Sequence, residues 1–331
     1  MDYESSAMPA RHTPILTLTL NPALDLSAHA PRVLAGPKLR LSEPVVEPGG
    51  GGINVARAIH ILGGQARMLA GLGGVAGARI KALLDEGGLT VEALAVPGET
   101  RQSLSVIDQR DGGQYRFVLP GPVWSAALCE EVLSRAADMA ADGGWVVLSG
   151  SQPPGVPAGF SRDLVARLAP GGARLVVDTS GAALADLLAG GEGPAPWCLR
   201  MDQAEAEEAA GHPLPEPADS LAFAEALVAR GAARIVVLAR GADGSVLAGE
   251  GARLHCRPPA VPVDSKTGAG DSFTGAFVLA LARGDDPGAA LRWGTAAAAA
   301  AVMTESTALC RRGDTERIFE ASALVPPARG A

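Results

Sequence analysis

The sequence predicts a three-layer α/β/α fold, in which helices cover both faces of a mostly parallel sheet, together with a small additional β-sheet. Two observations carry this prediction. Short apolar runs alternate with Ala-rich helical stretches along most of the chain, which is typical of βαβ units. Two segments with Pro and Gly punctuation break that alternation and have a strand-like pattern. The length of 331 residues suits one large α/β domain or two smaller ones, and the 47% content of hydrophobic residues is enough for a substantial core.

The strands of the main sheet are expected where apolar runs are short and buried in character. Helical stretches separate most of them, so that consecutive strands would run parallel. The predicted strands are Ile15–Leu20, Ala66–Ala70, Trp145–Leu148, Arg174–Val177 and Ile235–Leu238.

The small sheet is expected from Asp25–Val46 and from a hairpin. In that hairpin, Ser103–Asp108 and Gln114–Leu119 flank an Asp-Gly-Gly turn at 111–113. We expect segments at about 25–47 and 101–120 to act as a lid on one large domain at 13–320, although an exposed edge could instead pair with a second subunit. Residues 1–12 and 321–331 are predicted to be tails, the first of them disordered.

Composition narrows the class of protein. The net charge of −8 and the isoelectric point of about 5.2 argue against a nucleic-acid partner, which would need a basic stripe. The four cysteines are far apart and lack metal-ligand spacing, which favours a reducing, cytoplasmic location. The N-terminal segment has no cationic start or apolar core of a signal peptide, and no apolar run reaches the ~18 residues of a membrane span.

The stretch Thr267–Ser272 has the strongest chemical signal. Gly268, Ala269 and Gly270 allow consecutive backbone N–H groups to converge on an anion, and the apolar run that follows predicts a helix whose dipole adds positive potential. Asp271 is unfavourable beside a bound phosphate, so we interpret it as a general base that accepts a proton from the group attacking that phosphate. The alternative is an ordinary Asp N-cap after a Gly-rich turn.

The second motif is the glycine run at Glu47–Ala58, which precedes an amphipathic helix. Gly50 and Gly51 allow the backbone to approach a ligand closely, and Asn54 and Asp25 could bind the hydroxyls of a polyol. A flexible loop with Asn54 facing solvent remains an alternative, as does a turn role for Asp25 at the end of a strand.

Three other sites are excluded by spacing. The glycines at 71–77 follow the pattern GxGxxxG without the acidic residue that a dinucleotide site needs. Lys266 and Thr267 lack the glycines of a Walker loop, because Ser265 and Ala260 occupy those positions. The five histidines show no paired spacing, so a zinc hydrolase is not expected.

Taken in order, five segments resemble the PfkB branch of the ribokinase-like sugar kinases over about residues 13–320. Within that family the chain is most similar to the type 2 (minor) 6-phosphofructokinases, because of Gly36–Arg40, the four-glycine run and Thr100-Arg101-Gln102. The five segments are Gly49–Ala58, Thr100–Gln102, Tyr115–Gly121, Ser149–Gly155 and Thr267–Ser272.

The resemblance implies a ribokinase-like fold, ATP and Mg²⁺ as cofactors, and transfer of the γ-phosphoryl group to the C1 hydroxyl of fructose 6-phosphate in glycolysis. It implies that Asp271 is the base and that Gly268, Ala269 and Gly270 hold the transferring phosphate. The implied sugar ligands are Asp25, Gly50, Gly51, Asn54 and Ser149, and the implied ligands of the sugar's phosphate are Lys38, Arg40 and Arg101.

The resemblance also implies a nucleotide site, and there the chain departs from the family. Relatives have Lys-Pro-Asn-x-x-Glu where this chain has Arg200-Met201-Asp202-Gln203-Ala204-Glu205. Asp202 and Glu205 still offer oxygen ligands for Mg²⁺ through water. Thr304, Ser306 and Ala308 replace the family's Asn, Gly and Arg, which argues against potassium dependence. Lys266 could reach the nucleotide phosphates or face solvent. The implied nucleotide ligands are Arg200, Asp202, Gly241, Gly244, Lys266 and Thr304.

Three alternatives stay open at this stage. The substrate could be fructose 1-phosphate or tagatose 6-phosphate, or the chain could be a catalytically weak paralogue that binds sugar phosphate as a regulator. By resemblance we also expect a homodimer that forms through the lid strands.

Overall fold

The computed structural model describes residues 12–305 and 307–326. Its strands form a ten-stranded sheet and a four-stranded sheet. The strands are β1 (Ile15–Thr19), β2 (Ala23–Ala30), β3 (Val45–Gly49), β4 (Arg67–Leu72), β5 (Val91–Ala95), β6 (Arg101–Asp108), β7 (Gln114–Val118), β8 (Trp145–Ser149), β9 (Arg174–Asp178), β10 (Cys198–Asp202), β11 (Ile235–Ala239), β12 (Ser245–Gly249), β13 (Ala252–Arg257) and β14 (Ala323–Val325).

The helices connect these strands and cover both faces of the larger sheet. They are α1 (Gly51–Ile61), α2 (Gly74–Glu86), α3 (Ala126–Met139), α4 (Phe160–Leu168), α5 (Gly181–Ala189), α6 (Gln203–Ala210), α7 (Pro217–Ala229), α8 (Ala269–Arg283), α9 (Pro287–Ala301) and α10 (Arg312–Ala321), with single 3₁₀ turns at Ala169–Gly171 and Gly241–Asp243. No helix within the described ranges combines the length and the apolar character that a membrane crossing requires.

The larger sheet has the strand order β14-β13-β12-β11-β10-β9-β8-β1-β4-β5. Every pair from β5 to β11 is parallel, and the three pairs from β11 to β14 are antiparallel. The predicted α/β fold with a mostly parallel sheet is therefore confirmed. The five predicted strands correspond to β1, β4, β8, β9 and β11.

The prediction of a C-terminal tail at 321–331 is wrong for part of that segment. Ala323–Val325 forms β14, which pairs with β13 in the register His255↔Val325. The edge of β13 offers unpaired backbone groups, and Leu324 packs near Gly288, so these residues gain both hydrogen bonds and contact. Residues 327–331, the predicted N-terminal tail except His12, and Ser306 lie outside the described residues.

The smaller sheet has the order β3-β2-β6-β7 and contains the predicted hairpin. Its β2–β3 and β6–β7 pairs are antiparallel, whereas β2 and β6 run parallel. The four strands come from the two segments that the sequence assigned to the lid. Only the β-structure of the lid is observed here, and its movement stays a prediction.

Helix α8 lies in the core beneath the larger sheet. Residues 272–282 are all buried, and α8 packs against α1 and α9. Gly275 makes the contact with α1 possible, because a Cβ there would lie 2.9 Å from the Cβ of Ala58. This close packing brings the first turn of α8 next to the first turn of α1, and so joins the two glycine motifs of the sequence.

Candidate active site

A cleft lies where the carboxyl ends of the parallel strands meet the N-terminus of α8, as expected for ligand sites in open α/β sheets. Its volume is about 190 Å³. The residues that line it are Ser149, Gly150, Ser151, Asp178, Thr179, Ser180, Arg200, Asp202, Glu205, Gly270 and Asp271.

The first turn of α8 is built to present backbone N–H groups. Gly268 is the N-cap with a left-handed φ of 79°, and no side chain caps this helix among the described residues. Gly270 faces Arg200 so closely that a Cβ would lie 2.8 Å from its guanidinium. The turn Gly268-Ala269-Gly270 therefore leaves room and N–H donors for an anion beside a cation.

Asp271 lies in that first turn and is the central titratable group of the cleft. Its Oδ2 accepts a hydrogen bond of 2.9 Å from Nδ2 of Asn54. Burial raises the pKa of Asp271 to about 7, and the nearby carboxylate of Asp178 adds to the rise, while the Asn54 hydrogen bond and Arg200 oppose it. A carboxyl group with a pKa near neutrality can take up a proton during a reaction, as a general base must.

Asp178 fixes the surroundings of Asp271, and the sequence reasoning missed it. It ends β9, accepts a hydrogen bond of 3.1 Å from Thr274 on α8, and forms an ion pair with Arg200 at 3.3 Å. The signal was present, because an acid directly follows a predicted parallel strand, where functional side chains collect. Thr274 gives no comparable signal, since a Thr inside an apolar helix is ordinary.

The glycine run places α1 against the ends of the sheet strands. Gly50 is the N-cap of α1 with φ 111°, and a Cβ there would lie 2.7 Å from Cγ2 of Thr19. A Cβ on Gly51 would lie 2.3 Å from Oγ of Ser149 at the end of β8. The run therefore brings Gly50, Gly51 and Asn54 to the strand ends, as the sequence motif predicts.

Asp25 lies on β2 beside the glycine run and faces two arginines. Burial raises its pKa to about 6, and Arg101 and Arg116 oppose the rise. Arg101 is partly buried and donates a hydrogen bond of 3.2 Å to the backbone oxygen of Asn21. Burial lowers the pKa of Arg101, and Asp25 opposes that change. The structure thus brings together the predicted Asp25 and Arg101 and adds Arg116, which the sequence analysis did not single out.

Lys38 and Arg40 are not brought into this cluster. Both lie on the exposed connection between β2 and β3, and neither forms a hydrogen bond or an ion pair with another residue of the described chain. Their predicted contact with a sugar phosphate stays a prediction.

Asp202 and Glu205 line the cleft and are hydrogen-bonded to each other at the start of α6. The side chain of Asp202 accepts from the Glu205 N–H at 2.9 Å, and that of Glu205 accepts from the Asp202 N–H at 3.0 Å. Burial raises the pKa of Glu205. The described residues contain no group of three or more metal-binding side chains that could enclose an ion. The carboxylate oxygens of Asp202 and Glu205 fit Mg²⁺, an ion that keeps several waters and also binds phosphate oxygens.

The remaining predicted nucleotide ligands lie in three loops. Lys266 is exposed directly before α8, and it makes no ion pair with a described residue. Gly241 and Gly244 form the turn between β11 and β12, where a Cβ on Gly244 would lie 2.0 Å from the oxygen of Cys256. Thr304 is buried after α9, with its hydroxyl 2.7 Å from the oxygen of Ala301 and 2.8 Å from that of Ala308. These three loops do not line the cleft.

The glycine-rich loop at 71–77, whose spacing excludes a dinucleotide site, is hydrogen-bonded to a side chain of the protein itself. The carboxylate of Glu99 accepts hydrogen bonds of 3.2 Å from the N–H groups of Val75 and Ala76 at the start of α2. This helix N-terminus is therefore neutralised by the chain itself.

Comparisons with known proteins agree with this geometry. The model of the pfkB family carbohydrate kinases matches residues 20–312. The chain is 38% identical over 309 residues to the ATP-dependent 6-phosphofructokinase isozyme 2 of Mycobacterium tuberculosis, which covers 93% of this chain and 90% of that protein. It is 36% identical over 267 residues to a 1-phosphofructokinase of Xanthomonas campestris, covering 80% and 83% of the two chains.

The chain belongs to the pfkB family of carbohydrate kinases. It is therefore a phosphotransferase that acts on an alcohol group. Phosphofructokinase-2 from Escherichia coli, solved in complex with potassium, superimposes with a TM-score of 0.86 at 35% identity and covers 93% of this chain and 98% of that one. Structures of the same enzyme with fructose-6-phosphate and in a tetrameric inhibited form match with TM-scores of 0.84 and 0.85. The ribokinase-like fold expected from the sequence is confirmed.

The raised pKa of Asp271 gives a prediction about stability. The folded state holds this proton more tightly than the unfolded state, whose Asp pKa is about 3.9. The wild type should therefore lose stability as the pH rises from about 4 to about 7. Asp271→Asn abolishes this titration. In calorimetric melts, the Tm of the variant relative to wild type should be higher at pH 8 than at pH 5.

Asp142→Asn makes the same side-chain change at an exposed residue and is the matched control for these melts. If the Tm difference between Asp271→Asn and wild type is the same at pH 5 and pH 8, the raised pKa of Asp271 is contradicted.

Proposed function

We propose that this kinase transfers the γ-phosphoryl group of ATP to the C1 hydroxyl of fructose 6-phosphate, which yields fructose 1,6-bisphosphate. The observation that carries the proposal is the carboxylate of Asp271, held by Asn54 at the N-terminus of α8 with a pKa near 7. Asp271 takes the proton of the sugar hydroxyl as the oxygen of that hydroxyl attacks the γ-phosphorus and the bond from this phosphorus to ADP breaks. The N–H groups of Gly268, Ala269 and Gly270 stabilise the charge that spreads over the phosphoryl oxygens.

The sugar end of the site follows from the residues around Asp25. Hydroxyl groups are bound by carboxylate, amide, hydroxyl and backbone groups at the glycine run, and these ligands are Asp25, Gly50, Gly51, Asn54 and Ser149. Arg101 supplies a planar cation for the sugar's phosphate. Lys38 and Arg40 join it from their exposed loop. The relatives named 6-phosphofructokinase isozyme 2, and the related structure with fructose-6-phosphate, support this substrate.

The nucleotide end uses Arg200 against the phosphates, with Lys266, Gly241, Gly244 and Thr304 from the surrounding loops. Asp202 and Glu205 hold Mg²⁺ through water, and that ion supplies positive charge to the phosphates of ATP. The ion pair of Arg200 with Asp178 fixes the guanidinium beside Gly270, where the transferring group has to pass.

A second candidate is phosphorylation of fructose 1-phosphate, which the 36% identity to a 1-phosphofructokinase favours. The same base and phosphate cradle serve both reactions, so the position of the cation for the sugar's phosphate decides between them. The 38% identity to a 6-phosphofructokinase isozyme 2 over a larger share of the chain favours fructose 6-phosphate in our proposal.

We also propose a homodimer through the four-stranded sheet. Val46, Leu26, Leu104 and Phe117 are directly paired across its four strands, so they form one apolar row. Asp25 precedes Leu26 and therefore points to the opposite face. Phe117 is 55% exposed, so the β7 end of the row is an apolar surface that a second copy can cover, whereas Val46 at the other end packs against buried residues of this chain.

The working compartment that fits these features is the cytoplasm. All four cysteines of the chain are free and buried, which suits a reducing environment.

The primary test measures ADP release with Mg-ATP against fructose 6-phosphate, fructose 1-phosphate, tagatose 6-phosphate and unphosphorylated fructose, with and without K⁺. The highest kcat/KM should belong to fructose 6-phosphate.

Asp271→Asn should bind this sugar normally but lose on the order of 10²–10⁴ in kcat. Preference for another phosphosugar would refute fructose 6-phosphate as the substrate. Normal turnover by Asp271→Asn would refute the role of Asp271 as the base. Binding without turnover by wild type would favour the regulatory paralogue.

Arg101→Ala tests the recognition of the sugar's phosphate. Loss of the charged donor should weaken binding by about 1.5–3 kcal/mol, which is seen as a rise of about 10- to 150-fold in the KM for fructose 6-phosphate. The KM for ATP should not change. Arg110→Ala removes an exposed arginine from the same hairpin and serves as the control. Equal KM values in the two variants would exclude the role of Arg101.

The dimer is tested by sedimentation velocity. Wild type should sediment as a dimer, and Phe117→Glu should dissociate it, because a buried charge in the apolar row is costly. Val123→Glu places the same charge at a 68% exposed residue outside the four strands and should leave the dimer intact. A monomeric wild type would refute the interface.

A further inference from the structure

A continuous set of hydrogen bonds lies behind the catalytic carboxylate. Asn54 donates from Nδ2 to Asp271 at 2.9 Å, and its Oδ1 accepts from Arg57 at 3.2 Å. The other end of the guanidinium forms an ion pair with Oε1 of Glu47 at 2.8 Å. The hydroxyl of Thr307 donates to the second oxygen of Glu47. Four links thus connect the base to the segment after α9.

The orientation of the Asn54 amide depends on its partner in this set. An arginine offers only donors, so Arg57 requires Oδ1 of Asn54 to face it. The Nδ2 group then faces Asp271. If the amide were turned over, its oxygen would face the carboxylate oxygen and repel it. Arg57 therefore determines which group the catalytic carboxylate meets.

The positions of these residues hold Arg57 firmly. Asn54 and Arg57 lie three residues apart on α1, so they share one face of the helix. Arg57 also donates to the backbone oxygen of Pro48 at 3.1 Å, in the strand that enters the glycine run. The side chains of Arg57 and Glu47 are only 20% and 22% exposed. Neither residue lines the cleft, so neither is placed to bind the substrates there.

We infer that Arg57 and Glu47 are positioning residues for Asp271, which act by fixing the Asn54 amide, and that Thr307 anchors them to the segment after α9. This inference rests on the proposed role of Asp271 as the base. The other charged groups that act on Asp271 are Asp178 from β9, Arg200 from β10 and Asp25 from β2. Substitution of Arg57 or Glu47 leaves Asp178 and Arg200 in place, whereas the charge of Asp25 responds directly to both residues.

The test compares the pH dependence of kcat in wild type and Arg57→Met. The variant should lose about 10- to 100-fold in kcat, because a misplaced reacting group is costly, while the KM for fructose 6-phosphate changes less. The acidic limb of its pH profile should move to higher pH, since a carboxylate that loses a donor has a higher pKa. Arg57→Lys keeps a donor and should recover part of both effects.

A double-variant cycle shows whether the residues act as one unit. If Glu47 acts only through Arg57, the combination Glu47→Gln with Arg57→Met should lose no more kcat than Arg57→Met alone. If the losses in kcat from the two substitutions multiply instead, they overturn the relay of contacts that runs from Glu47 through Arg57 and Asn54 to Asp271. Thr307→Val removes the anchor and should shift the same acidic limb in the same direction by a smaller amount. It is a mild change that keeps the inference testable if Arg57→Met does not fold.

Arg162→Met is the matched control. Arg162 forms a comparable partly buried ion pair with Asp186, whose side chains are 17% and 32% exposed, and neither residue lines the cleft. This variant should lower Tm without changing kcat or the pH profile. If wild type turns over and Asp271→Asn does not, an unchanged profile in Arg57→Met overturns the relay and leaves the proposed function standing. A wild type that is inactive on every sugar removes the proposed function and the relay with it.

Discussion

Burial of a single carboxylate is the constraint on which the rest of this site depends. Asp271 is placed in the first turn of α8, a helix whose next eleven residues are all buried. Removal of water penalises the charged form, and the burial of α8 in the core prevents the side chain from moving away to solvent. The groups around it compensate for part of that penalty without cancelling it, so the pKa of Asp271 remains raised, at about 7.

Opposing partners achieve this balance. Asn54 and Arg200 favour the charged form of Asp271, whereas the carboxylate of Asp178 disfavours it. Asp178 also contacts Arg200 and Thr274. The carboxylate that raises the pKa of Asp271 therefore also positions the guanidinium of Arg200 and helix α8. The planar guanidinium of Arg200 can contact Asp178 and still face Gly270.

The sequence predicted the parts of the site that local chemistry specifies. The glycine run and Gly-Ala-Gly-Asp each imply a close backbone approach, and the strand–helix alternation predicts that strand ends and helix starts meet. It could not predict the partners of Asp271, because Asn54 lies 217 residues away and nothing local identifies which face of α1 packs on α8. The same limit applies to Arg57, Glu47 and Thr307. For β14, the missing information was the open edge of β13.

One pair of charges, Glu47 and Arg57, acts on Asp25 and also supports Asn54 beside Asp271. Glu47 is directly opposite Asp25 in the register of β2 and β3, and it disfavours the charged form of Asp25, while Arg57 favours it. The same Glu47 and Arg57 hold Asn54 against Asp271. In the proposed complex, a sugar that draws Asp25 toward its hydroxyls acts on β2, which pairs with the strand that carries Glu47. Glu47, Arg57 and Asn54 thus connect the position opposite Asp25 on β3 to Asp271 through contacts of 3.2 Å or less.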